Sequence, residues 1–176
     1  MKNSISEILK TCSELPANQR AAFLQQHDSL PLKVILQYAL DPRIEWLLPI
    51  GEPPYKPTEH LDQHGNLYRE IRKLHNFIKG GGHPDMHPLK RETLFIQFIE
   101  GLEPADAKLM CSVKDKKIPY KGINAKLVNT AFPGLILEQE KKEKLTNHNA
   151  SSFRVMNAMR SHAIHTKYKR NYKTRS

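Results

Sequence analysis

The chain has 176 residues, a mean hydropathy of −0.61 and a formal net charge of +10. That length buries one core of ordinary size, and no apolar run approaches the ~20 residues that cross a bilayer. The opening Met1-Lys2-Asn3-Ser4 lacks the apolar core of a signal peptide, and Cys12 and Cys111 are too few for a disulfide framework, so a reducing cytoplasm and no membrane partner are expected.

The charge is uneven. Residues 1–138 hold 18 Lys/Arg against 16 Asp/Glu, leaving +2, and residues 139–176 hold 10 against 2, leaving +8. This predicts a nearly neutral helical domain over 1–138 and a basic C-terminal extension over 139–176. Basic arms find nucleic acid, acidic proteins or membrane surfaces.

Ser4 or Ser6 can cap a first helix carrying Ile5, Ile8, Leu9, Cys12 and Leu15 on one face. Pro16 opens a second, with Ala21, Ala22, Phe23 and Leu24 as its apolar side and Asp28-Ser29 as its end. A third runs from about Pro31 through Leu32, Ile35, Leu36, Ala39 and Leu40. Short connections between these three imply antiparallel neighbours.

Asp41-Pro42 restarts the chain into Ile44, Trp46, Leu47 and Leu48, where the apolar neighbours make Trp46 a core residue rather than a base-stacking one. Proline and glycine then mark an irregular crossing from Pro49 to His64. A helix follows over Asn66–Lys79 with Leu67, Ile71, Leu74, Phe77 and Ile78 inward, stopped by Gly80-Gly81-Gly82. The triple glycine lacks the strand, Lys and Ser/Thr of a nucleotide-binding loop.

Pro88 opens a helix holding Leu94, Phe95, Phe98, Ile99 and Leu102. Lys90 and Arg91 stand at its opening turn, where positive charge opposes the helix dipole, and read as two screened surface charges.

From Pro104 to Leu137 the pattern is two short helices held apart by a basic, proline-broken turn. Lys114, Lys116, Lys117, Lys121 and Lys126 face one acid, Asp115, while Pro119 and Gly122 break the helical register. Gly122 allows close approach to the main chain, and a following helix start offers unpaired N–H groups, which together suit a phosphate. A solvated loop between core helices is the plainer alternative for a lysine-rich turn.

The segment resembles the closing part of the N-terminal DNA-binding domain of ATP-dependent DNA ligases, the phage type above all. Glu103, Asp106, Leu109 and Met110 match its first helix, Gly122, Ile123, Asn124 and Lys126 its turn, and Phe132-Pro133-Gly134-Leu135-Ile136 its closing phrase. Ile5 to Trp46 is more loosely similar, and a proline-bearing linker after a Trp-bearing helix agrees with the alignment. The turn departs from the ligase pattern: Asp115 to Gly122 stands where ligases carry an Arg-Asp-Leu-x-Cys-Gly-Val-like phrase.

Past Leu137, a polar break at Asn147–Ser152 precedes a further helical pattern over Phe153–Ile164. The end of the chain carries Lys167, Lys169, Arg170, Lys173 and Arg175 with Tyr168 and Tyr172 interleaved and no acid, a composition that can neutralise phosphates and stack on bases. A solubilising tail is the alternative.

Catalytic signals are lacking. The His60/His64, His83/His87 and His162/His165 pairs have no accompanying Cys-x-x-Cys or His-Glu-x-x-His phrase, so no metal is expected. The Lys-x-Asp-Gly phrase that accepts AMP in ligases is missing, as are a nucleophile elbow and a two-metal acidic cluster.

The expected fold is therefore all-α, a compact bundle of about eight or nine short helices resembling the ligase DNA-binding domain, with a basic C-terminal extension. The expected function is non-catalytic, largely sequence-independent binding of double-stranded DNA, without cofactor. Lys114, Lys116, Lys117, Lys121, Gly122, Asn124 and Lys126 would act from the domain, and Lys167, Lys169, Arg170, Lys173 and Arg175 from the tail. The resemblance implies a viral accessory protein of replication, repair or transcription, working in the host cytoplasm. A second reading is docking on a replication, transcription or virion protein through the basic tail, and a third, RNA binding, rests on the tail's tyrosines.

Overall fold

The computed structural model describes residues 3–57 and 66–137, all within the unit Met1–Glu138. These residues are helical, with no strand among them: α1 (Ile5–Glu14), α2 (Ala17–Gln26), α3 (Leu30–Leu40), α4 (Asn66–Glu70), a 3-10 helix (Ile71–Phe77), α5 (Pro88–Glu100), α6 (Pro104–Lys114) and α7 (Ala125–Ala131). None of the described helices is long and apolar enough to cross a membrane.

α1 begins in a reciprocal cap. The Ser4 hydroxyl accepts from the Glu7 N–H at 3.3 Å and the Glu7 carboxylate accepts from the Ser4 N–H at 3.1 Å. Ile5, Ile8, Leu9 and Cys12 form its buried stripe. Proline starts three further helices: α2 behind Pro16, α3 with Pro31 in its first turn, and α5 at Pro88.

α6 is the central element, packed against α1, α3 and α5. Ala107, Leu109, Met110, Cys111 and Val113 are buried on several sides of it, which is how a helix enclosed all round must read. Its first turn carries a buried Asp106, whose Oδ1 accepts from the Ser6 N–H at 2.9 Å. The carboxylate thereby serves an otherwise unpaired donor at the start of α1. Behind α6, Phe77, Phe95 and Phe98 cluster, the first pair edge to face with centroids 5.3 Å apart.

α7 packs against α2, where Gln25 Nε2 donates to the Ala131 carbonyl at 3.0 Å. The phrase Phe132-Pro133-Gly134-Leu135 closes as a turn, Leu135 N–H to Phe132 carbonyl at 3.1 Å, with Gly134 at φ +77°. Asn129 holds the outgoing chain by both polar ends: Nδ2 donates to the Ile136 carbonyl at 2.7 Å and Oδ1 accepts from the Ile136 N–H at 2.9 Å.

Three expectations are corrected here. The stretch Ile44–Leu48 is not helical, because Pro42 and Pro49 bracket it and only six residues lie between them, too few for a free-standing helix. It runs extended beside Ile78, with Leu47 N–H to Phe77 carbonyl at 2.8 Å and Lys79 N–H to Glu45 carbonyl at 2.9 Å. Trp46 lies half-buried against the core with its indole N–H donating to the Tyr38 carbonyl at 3.3 Å. The helix expected over Asn66–Lys79 tightens after Glu70 into a 3-10 helix, matching the three-residue spacing of the buried Ile71, Leu74 and Phe77.

Arg91 is the third. It is buried, with Nε to the Asn76 carbonyl at 3.3 Å and Nη2 to the His83 carbonyl at 3.0 Å, so it ties the glycine loop to α5 instead of facing solvent. The helical pattern at Phe153–Ile164 falls outside the described residues.

Candidate functional site

The basic turn joins α6 to α7 and is built by two of its own lysines. Lys114, on the last turn of α6, has a side chain 2 % exposed. Its Nζ donates to the carbonyls of Pro49 at 2.7 Å and Gly51 at 2.9 Å, and to Asp115 Oδ1 at 2.5 Å. The Asp115 carboxylate also accepts from the Gly51 N–H at 3.1 Å. A buried ammonium is tolerated only when paired and hydrogen-bonded, and Lys114 is both.

Lys116 ends α6. It stands at φ +59° in a position that helices usually give to glycine, with Lys116 N–H to Val113 carbonyl at 3.0 Å and Lys117 N–H to Ser112 carbonyl at 2.9 Å. The left-handed conformation costs a non-glycine residue about 1–2 kcal/mol. Against that cost, Nζ donates to the carbonyls of Tyr38 at 3.0 Å and Asp41 at 2.6 Å, placing a cation at the C-terminal end of α3. Burial pushes this ammonium below the usual lysine range, with Asp41 acting in the opposite sense.

Asp41 completes the joint. Its carboxylate is buried and gripped by Arg43, Nε at 3.0 Å and Nη2 at 2.6 Å, and that hydrogen bonding holds the carboxyl below the usual aspartate range. Lys114 and Lys116 are thus corrections to the expected binding set. Their ammoniums are consumed in fixing the turn to residues 49–51 and to the end of α3, and neither is presented to a ligand.

The remaining cations of the turn are presented. Lys117, Lys121 and Lys126 are exposed, and among the described residues none has an acid within ion-pair reach. Elsewhere Lys33 pairs with Asp28 at 2.6 Å, Lys79 with Glu45 at 2.9 Å, and Lys73 with Glu70. Lys117 shares a cleft of about 390 Å³ with Lys108, Glu52 and Cys111. Desolvation pushes the Cys111 thiol up to about 11, so at neutral pH it is protonated and a poor nucleophile.

Gly122 is exposed at φ +79°, and a Cβ built there would lie 1.7 Å from Arg20 Nη1. Arg20 comes from α2, with Nε donating to the Leu15 carbonyl and Nη2 to the Ser13 carbonyl, both at 2.9 Å. This guanidinium belongs to the site and the sequence reading missed it, because nothing local separates it from an ordinary surface arginine. Asn124 is the N-cap of α7, its Oδ1 accepting from the Leu127 N–H at 2.9 Å. With that donor already taken and only seven residues in α7, the helix start adds little to anion binding.

Lys167, Lys169, Arg170, Lys173 and Arg175 lie outside the described residues. Among the described residues no group of three or more His, Cys, Asp or Glu side chains could hold a metal ion. A comparison with curated proteins finds no match, and a comparison with solved structures finds none. One family description matches residues 8–120, which takes in most of α1, all of α2 to α6 and the first half of the basic turn. By that match over well more than half of its length, the chain belongs to DUF6433, a family of unknown function.

Proposed function

We propose that this protein binds double-stranded DNA without catalysis, holding the sugar-phosphate backbone at the α6–α7 turn. The observation that carries the reading is the division of labour among five lysines. Lys114 and Lys116 are buried and immobilise the turn, and Lys117, Lys121 and Lys126 project from it with no described acid to neutralise them. Preorganised, unpaired cations around an exposed glycine suit a phosphate chain, which supplies affinity but no sequence information.

The likeness of residues 103–136 to the closing part of the ligase DNA-binding domain supports the same reading. In that comparison the turn would track the minor groove, and the basic residues of the tail would add affinity. An accessory role in viral replication, repair or transcription follows from the likeness.

The test is fluorescence anisotropy with two duplexes of unrelated sequence. Lys121→Glu combined with Lys126→Glu should weaken binding to both alike. A loss confined to one duplex would mean base readout, and no loss on either would remove the turn from the interface.

A further inference from the structure

Ile50 is 91 % exposed, more than Leu30, Leu89 or Leu137. A single exposed isoleucine is ordinary on a protein surface. What sets this one apart is its support. The two carbonyls that flank it along the chain, Pro49 and Gly51, both accept from the one buried Lys114 ammonium, at 2.7 and 2.9 Å. The Gly51 N–H is held in turn by the Asp115 carboxylate. Pro49, Pro53 and Pro54 stiffen the same loop.

A buried ammonium is an expensive way to hold a loop, and its visible product is an apolar side chain fixed in water. The lysine that does so is three residues from Lys117, one of the presented cations. Glu52 follows Gly51, but it lines a cleft with both Lys108 and Lys117, so that acid is outnumbered.

Building on the duplex-binding reading, we propose that Ile50 is a wedge that enters the minor groove and partly unstacks a base step, bending the duplex around this face. Proteins that bend DNA from the minor groove insert an isoleucine, leucine, methionine, phenylalanine or proline between base steps, beside cations that hold the backbone. The requirements are a protruding apolar group, a rigid base beneath it and adjacent positive charge, and the loop at Pro49–Gly51 meets all three.

The experiment uses the full chain and a duplex of about 30 base pairs carrying a donor and an acceptor dye at its two ends. Saturating wild-type protein raises energy transfer as the ends approach. Ile50→Ala and Ile50→Ser bind with the wild-type salt dependence and lose that rise, while Ile50→Met keeps it. The proposal is overturned if the wild type binds with salt dependence yet leaves transfer unchanged, or if Ile50→Ala bends the duplex as the wild type does. In either case backbone binding stands and only the wedge falls, whereas a wild type that does not bind the duplex overturns both.

Discussion

Replacing Lys114 by methionine keeps the length of the side chain and removes its charge. Three acceptors then lose their donor: the carbonyls of Pro49 and Gly51 and the Asp115 carboxylate. Hydrogen bonds to a charged group contribute about 1.5–3 kcal/mol each, and removing one member of a buried ion pair costs about 3–5 kcal/mol. Pro49 and Gly51 lie on an exposed loop whose carbonyls can turn to water, so the lower end applies, about 3 kcal/mol. For a chain of this size that lowers the thermal midpoint by about 6–12 °C. Urea unfolding followed by circular dichroism should show the midpoint falling with the slope unchanged. Asp115→Asn should cost less in the Lys114→Met background than in the wild type, with a coupling above about 1 kcal/mol. A loss under about 0.5 kcal/mol, as for a surface lysine, would refute the reasoning and put the ammonium in solvent.

Two further outcomes follow from the same joint. Gly122→Ala should destabilise by about 2–3 kcal/mol, because the left-handed backbone penalises any Cβ and Arg20 must also give up its bonds to Ser13 and Leu15. In an Arg20→Ala background only the backbone part should remain, as a double-mutant cycle in urea would read. Asp41 has a carboxyl held below its usual range, so it stabilises the fold above the unfolded-chain value of about 3.9 and loses that effect as pH falls through the lower folded value. The stability gap between wild type and Asp41→Asn should therefore be full at pH 7 and close steadily on acidification. A gap of constant size down to pH 2 would exclude the linkage.

Much of the helical framework was legible in the chain. The Ser4–Glu7 cap, the opening prolines of α3 and α5 and the stripe of α1 are local signals, and local signals decide helix ends. The two short helices around a basic turn were legible as well. What was not legible depends on distant partners. Lys114 reads as one solvated lysine among five, and only the arrival of Pro49 and Gly51 from more than 60 residues away makes it interior. Lys116 occupies a glycine position at the end of a helix, so the residue type itself hid the helix stop. Arg91 was read by its charge, yet the glycine loop folds over it and supplies two carbonyls. The 3-10 helix had a signal that helical periodicity obscures, the strict three-residue spacing of Ile71, Leu74 and Phe77.

The salt dependence of duplex binding tests the central claim most directly, comparing wild type with a variant carrying Lys117→Gln, Lys121→Gln and Lys126→Gln. Each phosphate neutralised contributes about 0.9 to the slope of log K against log salt, so removing three cations should flatten it by about 2.7. A variant whose slope equals that of the wild type would contradict the account, because the turn would then make no contact with the backbone.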